Sequence, residues 1–396
     1  LSPYYEQEKA LGAVFYETVG WERPWWYESN AGLVEKFGDA VMPRTGEWEA
    51  RWWSPIINAE HLQMRETAGI VDLTAFAIFD IVGPGALASV QQIAVRQMDV
   101  AVGRVWLTDQ SADRPVDLFS LSLDEPEPLH PVTRFTARGP AGAPVRRTTV
   151  AAEGRELDVW FLGGSGRPVP TVVLVHGGPQ FAYGEAFNLD AQALVAAGFG
   201  VLYTNVRGST GYGDEFGNAV RGDWTDGPTR DLMAVVDRAV ELGWADPERL
   251  GVAGNSYGGF MASWLAATST RFKAAVAENP VTDLVSMAST SDIAVPFFAH
   301  QLGGELHEIP ATYLAQSPVV HAHRCQTPIL FVIGADDRRC PNHQAWGMHR
   351  LVHRTGTPTE VLVLPRSTHE GSTYGPIPGR LAHDAALVDW MTRHLL

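Results

Sequence analysis

Three segments follow one another without a spacer: the apolar run Leu250-Gly251-Val252-Ala253, the turn Gly254-Asn255-Ser256-Tyr257-Gly258-Gly259, and the helix-like Phe260-Met261-Ala262-Ser263-Trp264-Leu265. A strand hands over to a helix in so few residues only through a sharp turn. The central residue of such a turn is strained, and glycines must flank it for strand and helix to approach closely. Ser256 is that central residue, and the turn lifts its hydroxyl above a sheet edge. The segment predicts an α/β architecture and a serine nucleophile.

The rest of the C-terminal part agrees with that architecture. From residue 145 onward strand and helix patterns alternate. Thr149 to Ala151 and Leu157 to Leu162 read as a hairpin around Glu153-Gly154. Strands are expected at Thr171 to Val175, Gly200 to Thr204, Ala274 to Ala277, Ile329 to Ile333 and Glu360 to Leu364. Helices are expected at Ala191 to Ala197, at Thr229 to Leu242 (where Leu232, Val235, Val236, Ala239 and Val240 keep helical spacing) and from about Leu381 to Leu395. Near-continuous apolar strands separated by helices predict a mostly parallel sheet covered on both faces.

Composition narrows the function classes. Of 396 residues, 45% are hydrophobic and 19% charged, which suits a core-forming protein, and the length allows two or three domains. A net charge of -15 argues against nucleic acid or an anionic membrane surface as a partner. Cys325 and Cys340 are too few for a disulfide framework and lack the paired spacing of a zinc site, so two reduced thiols in a cytoplasmic protein are expected, with no metal and no cofactor. No run approaches the roughly 18 apolar residues of a membrane span. The chain opens on Leu1 with no signal-peptide pattern, and reads as a processed start or a fragment.

A serine hydroxyl needs a base to take its proton and a carboxylate to orient the base. In an α/β-hydrolase the order is serine, acid, histidine. Here the strand at 329–333 runs into Gly334-Ala335-Asp336-Asp337, and the strand at 360–364 is followed by Pro365-Arg366-Ser367-Thr368-His369. Both candidates lie past the carboxyl ends of strands, as Ser256 does, and open parallel sheets put their sites at that edge. Oxyanion donors are expected from a glycine N–H of His176-Gly177-Gly178-Pro179 and from the N–H of Tyr257.

Taken together these stretches resemble the prolyl oligopeptidase family of serine peptidases, especially its acylaminoacyl-peptidase-like branch. The matching segments are His176 to Pro179, Asn205-Val206-Arg207-Gly208-Ser209-Thr210-Gly211-Tyr212-Gly213, Gly254 to Gly259, Asp337-Arg338-Arg339-Cys340-Pro341 with Gln344, and Ser367-Thr368-His369, over about residues 114 to 396. The resemblance implies Ser256 as nucleophile, Asp337 as acid and His369 as base, with Gly178 and Tyr257 forming the oxyanion hole. Asp336 is the rival acid. The resemblance also places Arg339 where the family holds a substrate backbone carbonyl; the alternative is a salt bridge that stiffens the acid loop. It implies peptides or acylated amino acids as substrates. The family carries a β-propeller before the hydrolase domain, and here Pro115 to Phe135 resembles only the last strands of a final blade. A lidless site is wetter, so a carboxylesterase using the same triad is an alternative. Phe297 and Phe298, in a small cap within Val281 to Leu306, are read as core or as the lining of an acyl pocket.

The N-terminal segment differs. Seven of the thirteen tryptophans lie within residues 1 to 108, and residues 109 to 140 read as a linker in which Val116 to Leu123 alternates like one strand. Gly12 to Phe15, Gly20 to Pro24, Glu66 to Thr74 and Val82 to Ala86 resemble the folate-binding aminomethyltransferase domain of glycine-cleavage T-protein and dimethylglycine dehydrogenase. The match stops near 108, and Asp109 does not stand in that family's catalytic aspartate motif. The expectation is a partial α+β segment without aminomethyl-transfer activity, its tryptophans packing as core rather than forming a pterin platform. A non-functional fusion that self-associates through exposed apolar surface is the non-enzymatic alternative.

Overall fold

A computed structural model describes residues 5–18, 21–44, 53–66, 97–101, 104–122, 129–134, 143–164 and 166–396. Two compact units result. One comprises Leu1–Gln92, Gln97–Leu107 and Leu121–Glu127; the other comprises Ile93–Arg96, Thr108–Ser120 and Pro128–Leu396.

In the first unit a short helix (Tyr5–Ala10) leads into the antiparallel pair β1 (Ala13–Thr18) and β2 (Trp21–Tyr27), followed by helices Gly32–Phe37 and Pro55–Glu66. Glu60 ties the longer helix to the hairpin by accepting hydrogen bonds from the Tyr27 backbone N–H and the Asn30 side chain. Trp25 packs against Tyr16 and Trp26 at centroid separations of 5.0 and 5.9 Å. Trp25, Trp26 and Trp53 are half-buried, and Trp48 and Trp52 lie outside the described residues. Gly20 and residues 67–96, which include most of the segments on which the aminomethyltransferase resemblance rests, lie outside the described residues.

Strands β3 (Gln97–Ala101), β4 (Arg104–Ser111), β5 (Arg114–Ser122) and β6 (His130–Pro131) come next, with β6 antiparallel to β5. The alternating segment expected at Val116 to Leu123 is β5. The turn residue Ala112 accepts a hydrogen bond from Gln192 of helix Leu189–Ala196, within the second unit.

The second unit is built on eight strands: β7 (Val145–Ala152), β8 (Arg155–Leu162), β9 (Val169–Val175), β10 (Gly200–Thr204), β11 (Ala245–Asn255), β12 (Ala274–Glu278), β13 (Ile329–Gly334) and β14 (Thr359–Leu364). Their order is β14-β13-β12-β11-β9-β10-β8-β7. The neighbours from β14 to β10 are all parallel, and β8 is antiparallel to both β10 and β7.

The period of two in each strand sorts side chains between two cores. Val173, Val175, Leu202, Phe331 and Ile333 face one, with the helices Asp226–Glu241, Tyr257–Thr268 and His343–His353. Val172, Leu174, Val201, Leu330 and Val332 face the other, with Ala191 and Leu194 of helix Leu189–Ala196 and Leu387, Trp390 and Met391 of the C-terminal helix Ile377–Leu395. Each such aliphatic or aromatic side chain contributes about 1.5–3 kcal/mol of burial. The C-terminal helix starts four residues before its sequence-based boundary, because Pro378 falls in its first turn, where a missing N–H costs nothing. The small cap expected within Val281 to Leu306 holds the short helices Leu284–Thr290 and Ala294–Leu302, and two more, Pro310–Ala315 and Pro318–His321, follow beyond those bounds.

Parallel pairing brings the carboxyl ends of β9, β11, β12, β13 and β14 to one edge. The chain reverses its direction of sheet growth between β10 and β11, which straddle β9, so a crevice opens at that edge.

Candidate active site

Ser256 occupies the turn between β11 and helix Tyr257–Thr268 with φ 60° and ψ -116°, a left-handed backbone that costs a non-glycine residue about 1–3 kcal/mol. The surrounding glycines are sterically required. A Cβ at Gly254 would stand 2.4 Å from the Val175 carbonyl oxygen, and one at Gly258 would stand 2.0 Å from the same atom. Strand β9 therefore passes directly under the elbow. The Ser256 N–H donates to the Glu278 carbonyl at 2.9 Å, which pins the turn to β12.

The acid and the base follow β13 and β14. The Asp337 side chain is fully buried. Its Oδ1 accepts the backbone N–H groups of Arg339 and Cys340 at 2.8 and 2.9 Å, and its Oδ2 accepts from His369 Nδ1 at 2.8 Å. Asp336 is exposed, so of the two adjacent aspartates it is Asp337 that faces the histidine. Fixing Nδ1 as the donor leaves Nε2 free to act as a base.

Ser256, His369, Gly178, Tyr257 and Arg339 line one cavity of about 780 Å³. The Ser256 hydroxyl also lies in hydrogen-bonding reach of the Cys340 thiol, whose pKa is pushed well up by burial and then by the nearby Asp337 charge. Cys340 is thus a neutral neighbour of the serine and no rival nucleophile.

The two candidate oxyanion donors are held differently. The Tyr257 N–H opens its helix and has no acceptor within it. The Tyr257 ring is buried, and its hydroxyl donates to the Trp224 carbonyl at 3.1 Å. Gly178 has φ +117°, and a Cβ there would stand 2.6 Å from the Gln180 nitrogen. Gly177 runs beside the nucleophile, with a Cβ position 3.4 Å from Ser256 Cβ. Buried His176 shapes this loop. Its Nδ1 donates to the Gly177 carbonyl at 2.7 Å, and its Nε2 meets Ser209 Oγ at 2.8 Å. Burial lowers its pKa to about 4, so the ring is neutral near pH 7. This contact joins His176-Gly177-Gly178 to Arg207-Gly208-Ser209, and Arg207 is itself anchored by a paired contact to the buried Asp231.

Arg339 pairs through Nε with Asp292, and both side chains are more than two-fifths exposed. Ser291 Oγ and the Asp292 N–H bond the carbonyls of Arg339 and Arg338. The salt bridge of the alternative reading is present, and the guanidinium also borders the cavity. Phe298 is core and cavity wall at once, and Phe297 lines the cavity beside it, so the two readings of this pair are not exclusive.

Sequence reasoning missed Asn279. It has φ 39°, accepts the Gly334 N–H at 2.8 Å and donates to the His369 carbonyl at 2.9 Å. It thereby links the ends of β12 and β13 to the histidine loop. Its only signal is its place directly after the last residue of β12.

Comparison with known proteins places the chain among serine peptidases. Residues 185–396 match the prolyl oligopeptidase family, and residues 4–114 match the GCVT N-terminal domain. The uncharacterized peptidase YuxL of Bacillus subtilis (strain 168) is 33% identical over 294 residues, covering 72% of this chain and 44% of that protein. The chain thus spans less than half the length of that relative. A solved acylaminoacyl peptidase of Pyrococcus horikoshii superposes with a TM-score of 0.72 at 25% identity, over 77% of this chain and 50% of that one. An acylaminoacyl peptidase in complex with Z-Gly-Gly-Phe-chloromethyl ketone gives 0.71 at 25% identity over the same shares.

Proposed function

The chain belongs to the prolyl oligopeptidase family, and from that premise we propose that it is a serine peptidase that cleaves peptide or acyl-amino-acid amide bonds. The observation that carries the reading is the buried Asp337–His369 hydrogen bond in the loop edge that also bears the strained Ser256. In this reading His369 Nε2 takes the Ser256 proton as Oγ attacks the carbonyl carbon. The N–H groups of Gly178 and Tyr257 receive the oxyanion. His369 then protonates the departing amine, and a water molecule, deprotonated by the same nitrogen, releases the acyl group. Asp337 holds the tautomer. The apolar wall of Val281, Met287, Phe297 and Phe298 suits an apolar side chain on the acyl residue. Arg339 offers its remaining N–H groups to a substrate carbonyl.

A fluorophosphonate probe tests this. Mass spectrometry of the labelled chain should find the adduct on Ser256, with no adduct in Ser256→Ala. An unlabelled Ser256 in folded protein overturns the reading. The ratio of kcat/KM on an aminoacyl anilide to that on an aryl ester separates a peptidase from an esterase with the same triad.

Residues 4–114 are assigned no aminomethyl transfer. Asp109 is buried and engaged by Arg114, away from any role as a free acid. Folate-dependent turnover by the full chain would refute this. Among the described residues no helix is long and apolar enough to cross a membrane, and both cysteines are free and buried. A cytoplasmic protein fits both facts, and cell fractionation checks it.

A further inference from the structure

The cavity that holds Ser256 is also lined by Asp190, Glu278, His383 and Asp384, which the proposed acyl transfer does not use. Asp190 comes from the first turn of helix Leu189–Ala196, Glu278 from the end of β12, and His383 and Asp384 from the C-terminal helix. His383 is 2% exposed and Glu278 5%. His383 Nδ1 lies 3.0 Å from Asp384 Oδ1 and 3.8 Å from Asp190 Oδ1. One donor atom from each of Asp190, His383 and Asp384 lies within 4.8 Å of the other two. Around an ion with bonds of about 2.0–2.2 Å, neighbouring donor atoms sit about 3–3.5 Å apart. The three atoms are near that spacing before any ion draws them in.

Two further features point to a ligand. First, a histidine that binds a metal through one ring nitrogen is oriented by giving the other N–H to a carboxylate. His383 Nε2 is 3.1 Å from Glu278 Oε2. Second, Glu278 Oε1 is buried with no hydrogen-bond partner among the described residues. Three carboxylates thus surround one imidazole.

We propose that Asp190, His383 through Nδ1, and Asp384 bind a divalent transition-metal ion of the zinc class, with Glu278 holding the imidazole from its other side. An imidazole nitrogen with two carboxylates suits Zn²⁺ or Mn²⁺, whereas Ca²⁺ and Mg²⁺ favour all-oxygen shells. Binding displaces the Nδ1 proton to solvent, and the remaining coordination positions open toward the cavity. The site does not depend on the acyl-transfer reading. Spacing along the chain hides it, because its ligands stand at positions 190, 383 and 384.

The test uses the full chain, stripped with a chelator and titrated calorimetrically with Zn²⁺, then with Ca²⁺. Metal content is measured after gel filtration, and Tm is measured with and without each ion. One tightly held Zn²⁺ per chain is expected, with a raised Tm and no effect of Ca²⁺. Asp190→Asn and Asp384→Asn should each weaken zinc binding at least about tenfold. His349 and His353, whose rings stack at 6.1 Å on helix His343–His353, are the competing zinc ligands, and His353→Asn should leave the affinity unchanged. Zinc that is not retained by the native chain, binding unaltered in both aspartate variants, or binding lost in His353→Asn would each overturn the proposal. The zinc-dependent Tm of the native chain stands even where one variant fails to fold.

Discussion

At the scale of single residues, Asp337 carries the sharpest prediction. Asp337→Asn keeps the shape of the side chain and can still accept the Arg339 and Cys340 N–H groups. It then presents an NH₂ group or the wrong partner to His369 Nδ1, and the imidazole loses the tautomer that makes Nε2 a base. We expect kcat on an aminoacyl anilide to fall about 10⁴-fold with Tm nearly unchanged. Asp336→Asn, at an exposed position, should leave kcat within a factor of two or so of native, as surface substitutions generally perturb little. Equal losses in both variants would remove Asp337 from the relay. Ser256 directly follows β11, and Asp337 and His369 fall three and five residues past β13 and β14, so their strand-end placement can be read from the sequence, while the preference for Asp337 over Asp336 comes from the family resemblance. Asn279 is not legible in the same way. Its role comes from a left-handed backbone and two hydrogen bonds to residues 55 and 90 positions away, and nothing in the spacing of Glu278-Asn279-Pro280 states either.

At the scale of elements, the joint between the acid loop and the short cap helices rests on Gln344. It is buried at the start of helix His343–His353. Its Oε1 accepts the backbone N–H groups of Thr282 and Asp283 at 2.8 and 2.7 Å, and its Nε2 donates to Ser286 Oγ at 2.8 Å. Gln344→Ala would leave the buried Thr282 N–H and the half-buried Asp283 N–H without their acceptor, at about 1–3 kcal/mol for a fully buried group and less for the other. A destabilisation of about 2–5 kcal/mol is expected from urea melts, with KM raised more than kcat is lowered, because the cap helices wall the acyl side of the cavity. Unchanged stability would mean that water replaces the amide fully. The large elements around this joint are legible because their side chains obey one period, as Leu232, Val235, Val236 and Ala239 do. The cap helices are four to nine residues long, too short to display a period, so only the general presence of a cap can be read from residues 281 to 306.

At the scale of the whole molecule, one buried imidazole ties the site to the acid limit of the fold. His176 is neutral, packed beside Phe181 and Tyr183, and joins the oxyanion loop to the segment that Arg207 and Asp231 anchor. Folding lowers its pKa from 6.5 to about 4. Between those values the unfolded chain binds more protons than the folded one, so stability falls as pH drops through that window and is fully present above it. Over two pH units the loss is about 2–3 kcal/mol, a large share of an ordinary domain's margin. The carboxylates elsewhere add their own acid dependence, so the term is read as a difference. Urea melts followed by tryptophan fluorescence at pH 4.5 and 6.5 should show a smaller pH effect in His176→Asn than in the native chain, by about that amount. The variant should also lose kcat at pH 7, because the loop carrying Gly178 loses the ring that holds Gly177. A variant whose pH slope matches the native slope would mean that His176 titrates normally and that this loop is open to water.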